Sequence, residues 1–474
     1  MPGAAIVYVT DAPHNAKGDV KSTTGTITSG TSSLTVPSGV FAAGDIGKQI
    51  LVVGAGPTIT NGGDSAVIPL YTTISNVAGT TVTLAATASA SVTNAVVQFG
   101  TDDTPAFQSA ATAIQNQGGG ELRIPPATYW LYPNSRTLPT NGTGAGDFTS
   151  LSGVRVVGPG ATLLTARAGN YMVGFNLFTF QDCSNVQVIG VRVQGHLLTG
   201  TSGSLVQQGA NLVKLFGGCR NVEVQASATG ILSLVSVVAG PRGGNSGTYA
   251  GTDAQRSHGI RFSLVAVNCG YGCDFQFSGD GVDGSLTTDG CYRSLIAYGV
   301  RDHRLRVDSR NHIGADVVLT AYTGYGVANV DLSYTNRLSS NSYGVGYGTA
   351  GVELAYGDNT AAVIRDVRIH YDVKYLAPQA FGPALRVINH GTNETPPIHQ
   401  LERLRLEGRI EGPGDPFDFN YQVVSADRAH VYADFRDFLF TDLTLSGNRP
   451  VVLDLTPLVD GLEIHRVRGL MRGS

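Results

Sequence analysis

Short apolar runs separated by Gly and Asn recur from about residue 150 onward, and this pattern limits the fold more than any other feature. CSNVQV at 183–188 matches CRNVEV at 219–224, and FSLVAV at 262–267 resembles RSLIAY at 293–298. Further runs lie at 315–322, 328–334, 363–371, 401–410 and 461–467. Strand-length units at intervals of roughly 20–40 residues indicate stacked coils joined by loops of variable length.

Asparagine stands before three of these runs. Asn185, Asn221 and Asn329 each precede a Val, and Asn tolerates the left-handed backbone that a tight bend between strands requires. Cys183 and Cys219 hold equivalent places in their units, as expected if like residues stack inside the coils. The pattern predicts a parallel β-helix. A β-sandwich or a propeller could give similar runs, but propeller blades repeat more evenly.

The composition favours strands and excludes several classes of partner. The 474 residues include 62 Gly but only five Lys and eight Glu, so residues typical of exposed helix faces are scarce. The net charge of −4 argues against general binding to nucleic acid or to an anionic membrane. No apolar segment approaches membrane-spanning length, and Met1–Thr10 lacks the features of a signal peptide. We therefore expect no nucleic-acid partner and no membrane insertion.

The cysteines do not indicate a metal site. Their spacing fits no familiar zinc pattern and their number is odd, so we expect them to be buried and reduced. They are Cys183, Cys219, Cys269, Cys273 and Cys291.

One short helix is predicted over 104–117, within TDDTPAFQSAATAIQNQGGG at 101–120. Asp103 or Thr104 suits the N-cap, and Pro105 suits the first turn. Four apolar residues at helical spacing share one face: Phe107, Ala110, Ala111 and Ile114. Such a helix would cover the open end of a stack of coils, whose backbone groups otherwise invite pairing. We therefore interpret Asp102 and Asp103 as structural residues.

The motif D-D-T-x-x-[apolar]-Q-x-A, followed by G-G-G, a strand and PPATY, resembles the entry cap of the pectate-lyase-like right-handed parallel β-helix proteins. This superfamily includes phage tailspikes and polysaccharide-degrading enzymes. A G-A-K-G-D-like segment usually precedes D-D-T closely in such proteins, but here NAKGDV lies at 15–20. The resemblance implies an all-β, right-handed parallel β-helix with a short N-terminal capping helix. It is specific at 101–130 and architectural over 150–474, and the fold hosts several activities.

Alternating strands such as TVTLAATAS lie between the two parts of the cap. They predict an inserted small all-β module at 21–100 whose ends meet in space. The remaining predicted parts are a lead-in to the cap at 1–20, the β-helix at 101–400, and terminal coils or a small β-region at 401–474.

Candidate catalytic carboxylates concentrate between residues 274 and 316. Hydrolysis of a glycosidic bond needs two carboxyl groups beside that bond, and the candidates are Asp280, Asp283, Asp302 and Asp308. Asp302 and Asp308 are an even number of residues apart, so they share one face of an unbroken strand. Asp280 and Asp283 lie in a Gly-rich stretch that reads as a turn, where Asp is common for conformational reasons alone.

Basic and aromatic residues near these aspartates are candidates for substrate binding. Five arginines fall within 18 residues and form either a solvated strand face or a site for an acidic sugar or phosphate: Arg293, Arg301, Arg304, Arg306 and Arg310. The predicted substrate-binding residues are His303, Arg304, Arg310, His312, Tyr322, Tyr325 and Glu353, of which Glu353 is also a reserve carboxylate. Six tyrosines between 322 and 356 suit stacking on sugar rings, and strand packing or a subunit contact would explain them equally.

These features and the resemblance together predict a tailspike-like protein of a phage virion tail that binds and cleaves a bacterial cell-surface polysaccharide. The sequence does not decide between hydrolase and lyase chemistry, because SHGI at 257–260 and RLR at 304–306 resemble polygalacturonase motifs only weakly. No cofactor is expected, except Ca²⁺ if the protein is a lyase. The resemblance implies a homotrimer and contacts with other phage tail proteins. A non-enzymatic receptor-binding or structural tail protein is the alternative, and a secreted bacterial polysaccharide-degrading enzyme is the third possibility.

Overall fold

The structure of the protein is a computed structural model. It describes residues 5–61, 64–131, 143–165, 176–196, 210–240, 253–322, 324–338, 350–357, 362–375, 384–389, 399–411, 417–418, 433–437, 439–446, 459–460 and 463–467. Within these residues there are one α-helix, α1 (Thr104–Asn116), and two 3-10 helices, at Ala43–Asp45 and Asp253–Gln255. No helix in this part of the chain is long and apolar enough to cross a membrane.

All other regular structure is strand. The first strands are β1 (Ile6–Tyr8), β2 (Lys21–Ile27), β3 (Ser33–Thr35), β4 (Gln49–Val52), β5 (Thr58–Asn61), β6 (Asp64–Val67), β7 (Leu70–Ala78), β8 (Thr81–Leu84), β9 (Val92–Gly100), β10 (Gly120–Arg123), β11 (Thr128–Trp130), β12 (Thr143–Thr149), β13 (Val154–Val157), β14 (Thr162–Leu164), β15 (Asn176–Gln181), β16 (Ser184–Gln194), β17 (Asn211–Phe216) and β18 (Arg220–Thr229). They continue as β19 (Ser233–Val238), β20 (His258–Val267), β21 (Tyr271–Gln276), β22 (Asp280–Asp289), β23 (Arg293–Tyr298), β24 (Arg301–Arg310), β25 (Val317–Ala321), β26 (Val327–Leu338), β27 (Val352–Tyr356), β28 (Val363–Tyr375), β29 (Leu385–Asn389), β30 (His399–Glu411), β31 (Phe417–Asp418), β32 (Ala433–Arg436), β33 (Leu439–Ser446), β34 (Val459–Asp460) and β35 (Glu463–His465).

The chain divides into two compact units, residues 1–214 with 225–234 and residues 215–224 with 235–474. In the first unit, β1 pairs with β10, β10 with β13 and β13 with β16, always in parallel. The pairs β11–β14, β14–β16 and β12–β15 are parallel as well. Each coil therefore lays its strands directly on those of the preceding coil, which is the arrangement of a parallel β-helix.

A closed antiparallel barrel interrupts the cap of the first unit, with strand order β2-β3-β8-β7-β4-β9. Apolar side chains fill it, including those of Leu34, Ile50, Val82, Val97 and Phe99. Lys21 pairs with Phe99, so the chain enters and leaves the barrel at adjacent points. Just outside the barrel, the Asp19 carboxylate accepts hydrogen bonds from the N–H and hydroxyl of Thr101, at 2.8 and 3.0 Å. The inserted β-module predicted from the sequence is confirmed.

Helix α1 covers the first coils with its apolar face. The four residues predicted to share that face are all buried: Phe107, Ala110, Ala111 and Ile114. The ring of Phe107 packs edge-on against Tyr129, with 5.3 Å between ring centroids. The side-chain amides of Gln108 and Gln115 donate to backbone carbonyls of β12. The predicted capping helix is therefore confirmed, and it ends one residue before the predicted boundary.

The acidic pair before α1 ties the two halves of the cap together. Asp103 is the N-cap residue, but its carboxylate accepts hydrogen bonds from the backbone N–H groups of Lys17, at 2.5 Å, and Gly18, at 3.1 Å. Asp102 accepts a hydrogen bond from the N–H of Thr104, at 3.0 Å. The segments on either side of the barrel thus meet through Asp103, in agreement with a structural role for the pair.

The second unit contains two sets of parallel strands. β20, β22, β24, β26, β28 and β30 pair in succession, and so do β21, β23, β25, β27, β29 and β31. The described parts of the C-terminal region, β32 to β35, continue the first set in parallel. The predicted fold class, a parallel β-helix, is therefore confirmed.

One sequence comparison is corrected by this pairing. FSLVAV lies in β20 of the first set, whereas RSLIAY forms β23 of the second set, so the two runs are not equivalent. Their likeness reflects only that both runs are apolar strands.

A column of left-handed residues fixes the bend in each coil of the second unit. The column has positive φ angles between 53° and 65° and consists of Asn221, Gly259, Gly281, Asp302, Asn329, Asp366, Arg403 and Asp437. From Gly259 onward, the strand register places these residues at neighbouring bends. The left-handed bends predicted at Asn185, Asn221 and Asn329 are confirmed. The five cysteines are free and buried, also as predicted.

Candidate functional site

One row of residues in the second unit lies immediately before the left-handed column. Register and side-chain contacts align six residues from successive coils: His258, Asp280, Arg301, Ala328, Arg365 and Glu402. Because each member precedes a bend, backbone conformation rather than sequence spacing sets the row.

A cleft of about 470 Å³ opens beside Ala328 in this row. Arg301 and Arg365 stand on either side of Ala328, and Arg256 and Tyr325 contribute to the walls. We call this the arginine cleft, and its lining residues are Arg256, Gly299, Arg301, Gly324, Tyr325, Gly326, Val327, Ala328, Val363 and Arg365. Its size is that of a site for a small ligand or a short piece of polymer.

Asp280 anchors the arginines at one end of the cleft. Arg256 donates two hydrogen bonds to its carboxylate, at 2.5 and 2.7 Å, and Arg301 donates a third, at 3.1 Å. Burial raises the pKa of Asp280, but hydrogen bonds and charge from Arg256 and Arg301 outweigh burial and hold the pKa below its ordinary value. Asp280 is therefore ionised near neutral pH, and this environment does not suit a general acid.

Aromatic rings form a cluster beside the cleft. The ring of Phe277 lies 5.0 Å from that of Tyr322 and 5.2 Å from that of Tyr325, both edge-on. Tyr298 lies edge-on to Tyr322 at 5.7 Å. Tyr322 and Tyr325 pair through their backbones in a tight turn and remain partly exposed. These two predicted substrate-binding residues therefore present ring surface next to the arginines.

The other predicted catalytic aspartates lie elsewhere on the coils. Asp283 belongs to strand β22 and not to a turn, and its side chain is exposed. Asp280 is also a strand residue, so the predicted turn is reduced to the bend at Gly281. Asp302 occupies the left-handed column, where it accepts a hydrogen bond from Asn329 at 2.8 Å. Asp308 is half-buried on β24.

Exposed charges of opposite sign alternate across the strands around Asp283. Register places Arg261, Asp283, Arg304, Asp331 and Arg368 on successive strands. Opposite charges on neighbouring strands, about 5 Å apart, stabilise a sheet modestly. Arg310 lies on the same exposed face of β24, between Asp289 and Arg337. This arrangement favours the solvated-face interpretation for Arg304 and Arg310.

The two predicted substrate-binding histidines point into the coils. His303 is 2% exposed, and its Nε2–H donates to the Gly279 carbonyl at 2.5 Å. Burial lowers the pKa of His303 to about 4, so it is neutral at pH 7. His312 is also buried, and its Nδ1 accepts a hydrogen bond from Asn336 at 3.0 Å. A polymer outside the coils does not reach these rings, which corrects their assignment to substrate binding.

Glu353 lies on β27 in the other set of strands. It is 4% exposed, with Arg386 of β29 at 3.9 Å. Another carboxyl group on that face, that of Asp274, lies three strands away through Ile296 and Val318. Three strand spacings amount to about 14 Å, whereas a glycosidase pair is separated by about 5–10 Å. Glu353 and Asp274 therefore do not form such a pair.

The six tyrosines predicted to suit stacking on sugar rings do not lie together. Tyr334 and Tyr356 are core residues, at 1% and 0% exposure. Tyr325 lines the cleft, and Tyr322 packs edge-on against Phe277. Tyr343 and Tyr347 lie outside the described residues.

Sequence reasoning did not single out Arg256 or Arg365. They lie 109 positions apart, and the pairing offset changes from 22 residues at His258–Asp280 to 37 at Ala328–Arg365. A usable signal did exist, because Arg301 and Arg365 each directly precede a residue of the left-handed column. Aligning the coils on their bends would have brought the two arginines into one row.

The described residues contain no group of three or more His, Cys, Asp or Glu side chains placed to hold a metal ion. Calcium remains an expectation that belongs to the lyase hypothesis alone.

Comparison with known proteins gives fold neighbours only. No protein-family model and no curated protein sequence matches the chain. Among solved structures, the tailspike gp61 of Pseudomonas phage phi297 matches with 13% identity and a TM-score of 0.30, over 95% of this chain and 68% of the tailspike. The catalytic domain of a GH87 alpha-1,3-glucanase matches with 12% identity and a TM-score of 0.39, over 95% and 92% of the two chains. An exopolygalacturonase from Thermotoga maritima matches with 14% identity and a TM-score of 0.39, over 79% and 89%.

These neighbours belong to the classes to which the sequence resemblance pointed, tailspikes and carbohydrate-active enzymes. At such identities and TM-scores they assign no activity to this chain. The pairing of its own strands establishes that the chain has the parallel β-helix fold.

Proposed function

We propose that the protein is a tailspike-like protein that binds a bacterial cell-surface polysaccharide in the arginine cleft and cleaves it. The observation that carries the proposal is the adjacency of three arginines and the partly exposed Tyr325 in the lining of one cleft. Arginine recognises the hydroxyl and acidic groups of sugars with planar donors, and tyrosine rings pack on the apolar face of a pyranose.

Cleavage requires catalytic groups in the cleft in addition to the groups that bind the polysaccharide. Hydrolysis requires a second carboxyl group within about 5–10 Å of the first, whereas a lyase requires neutralisation of a uronate carboxylate, which arginines can supply. Lyase chemistry therefore makes better use of the cleft, with Ca²⁺ as an optional ligand of the substrate. Homotrimer formation and a place in a phage tail belong to the same proposal and rest on the sequence resemblance.

A non-enzymatic receptor-binding protein is the second candidate. One observation favours it: none of the four predicted catalytic aspartates lines the cleft, and the oxygens of Asp280, which contacts two of its arginines, are occupied by Arg256 and Arg301.

The test is incubation of the pure protein with a panel of bacterial surface polysaccharides, followed by size-exclusion chromatography with ultraviolet detection. Shortening of one polymer supports cleavage, and new absorbance from an unsaturated uronate identifies a lyase. Co-elution of an intact polymer with the protein supports the receptor-binding role instead. Failure of every polymer to bind or shorten contradicts both.

A matched pair of variants locates the site in that experiment. Tyr325→Ala removes a ring from the cleft wall, and Tyr8→Ala removes a partly exposed tyrosine from the first unit. Loss of binding or cleavage with Tyr325→Ala alone supports the cleft. Equal behaviour of both variants places the activity elsewhere. Light scattering on the same fractions measures the oligomeric state, for which three chains are expected.

A further inference from the structure

The geometry points to an anion subsite within the arginine cleft: the gap over Ala328, between Arg301 and Arg365, binds a carboxylate or phosphate group carried by the glycan. This inference rests on the proposed function, because the anion is part of the bound polysaccharide.

The lining of the cleft carries the guanidinium groups of Arg256, Arg301 and Arg365, and none of its lining residues is acidic. Asp280 is engaged by Arg256 through two hydrogen bonds and by Arg301 through one. Arg365 has an exposed side chain to which the described residues supply neither a hydrogen bond nor an ion pair. The guanidinium group of Arg365 is therefore available to an anionic ligand.

The carboxylates nearest to Arg365 already accept hydrogen bonds from another arginine. Asp366 follows it directly in the chain, and Glu402 is its partner on β30. Arg403 donates to both oxygens of Asp366, at 2.5 and 2.8 Å, and to Glu402 at 3.2 Å. Arg403 therefore holds both carboxylates by hydrogen bonds and lowers the pKa of Asp366, to which Arg365 contributes through its charge alone.

The spacing suits an anion held from both sides. Arg301, Ala328 and Arg365 come from three successive strands, so the two arginine backbones are about 10 Å apart. The methyl group of Ala328 leaves the space between them open. A guanidinium group on either side of it can donate a pair of N–H groups to one carboxylate or phosphate. Tyr325 lies in the same cleft and offers its ring to the attached sugar.

The chemistry is shared by two kinds of polysaccharide, those with uronate carboxylates and those with phosphodiesters, and three oligomers distinguish them. We would measure binding of hexagalacturonate, a glycerol phosphate hexamer and neutral maltohexaose by calorimetry at low salt. At least one anionic oligomer is expected to bind, more weakly as salt rises, and maltohexaose is not.

Three variants place the anion. Arg365→Gln weakens anion binding about tenfold because it removes one charge-assisted contact. Ala328→Glu abolishes binding, since its tethered carboxylate occupies the gap. Arg192→Gln is the control, because it removes an exposed strand arginine in the first unit. Unfolding temperatures of all three confirm that each variant is folded.

Equal binding of the neutral oligomer, no binding of either anionic oligomer, or equal effects of Arg365→Gln and Arg192→Gln would each overturn the subsite. The polysaccharide panel separates this failure from failure of the proposed function. A polymer that Ala328→Glu still binds and shortens as well as the unmodified protein leaves the proposed function intact and removes only the anion subsite.

Discussion

Asp103 is a carboxylate at 1% exposure whose role follows from two backbone partners across the barrel. Burial raises its pKa to about 6, although the N–H groups of Lys17 and Gly18 favour the charged form. The folded state therefore holds this proton more tightly than the unfolded chain, whose Asp pKa is about 4. The stabilising contribution is full below pH 4 and is lost as the pH rises through 6.

Asp103→Asn should remove this pH dependence. Two pKa units correspond to roughly 3 kcal/mol in the free energy of unfolding. Urea unfolding, followed by tryptophan fluorescence, should show that the unmodified protein loses stability relative to the variant as the pH rises from 4 to 7. A gain in the stability of the unmodified protein relative to the variant over this range would contradict the raised pKa.

Asp280 is expected to behave in the opposite sense. Its pKa is lowered in the folded state, so its contribution to stability is present above the unfolded value near 4 and is lost on acidification. Asp280→Asn should cost roughly 3 kcal/mol at pH 7, because it leaves Arg256 buried without its charge partner. The deficit should narrow towards pH 3. Asp289→Asn, an exposed change on the same strand, should cost little at either pH; a similar loss there would show that the effect is not specific to the buried pair.

Asp103 and Asp280 show which residue roles the sequence alone could predict and which it could not. The structural role of Asp103 was readable because capping chemistry is local and its partner segment, NAKGDV, resembles a known motif. Asp280 was read as catalytic because its partner, Arg256, belongs to the preceding coil. Partners in other coils become visible only once the register is known.

Asn329 forms one bend of the left-handed column. Its φ is 56°, and its amide donates to Asp302 in the neighbouring coil at 2.8 Å. Asn329→Ala should destabilise the second unit by about 1–2 kcal/mol, because Ala adopts a positive φ less readily than Asn does and the hydrogen bond is lost. Asn329→Gly should recover part of that loss, since Gly adopts positive φ without strain.

Ser333→Ala on the exposed face of the same strand is the control for these variants. Denaturant unfolding followed by circular dichroism gives the comparison. An Asn329→Gly variant no more stable than Asn329→Ala would mean that relief of backbone strain contributes nothing at this bend.

The column also explains why the coils were found but not aligned from the sequence. Asn at three bends was recognised, whereas Gly259, Gly281, Asp302, Asp366 and Arg403 occupy the same position with other side chains. Arg403 tolerates a φ of 53° while its guanidinium holds Asp366 of the preceding coil. The backbone geometry repeats from coil to coil but the residue type does not. The sequence therefore did not indicate the arginine cleft.

At the scale of the whole molecule, the inserted barrel is joined to the first coils by an apolar contact as well as by the chain. Leu51 of β4 packs with Trp130 and Leu164, and the indole N–H of Trp130 donates to the Tyr71 hydroxyl at 3.1 Å. Sequence reasoning anticipated the insertion because its ends had to meet. It did not anticipate this contact, since nothing in β4 distinguishes a residue facing the coils from one facing the barrel interior.

Trp130 is the only tryptophan of the chain, so its fluorescence reports on that contact alone. Leu51→Ala should shift its emission to longer wavelength, because the cavity admits water beside the ring, while the strand content measured by circular dichroism is kept. Its neighbour Ile50 faces the barrel interior and serves as a matched control. Ile50→Ala should cost about 2–5 kcal/mol of barrel stability and leave the native emission unchanged. If both variants shift the emission equally, the barrel and the first coils form one core; if only Leu51→Ala does, the barrel is a separately packed insertion held against the coils by this contact.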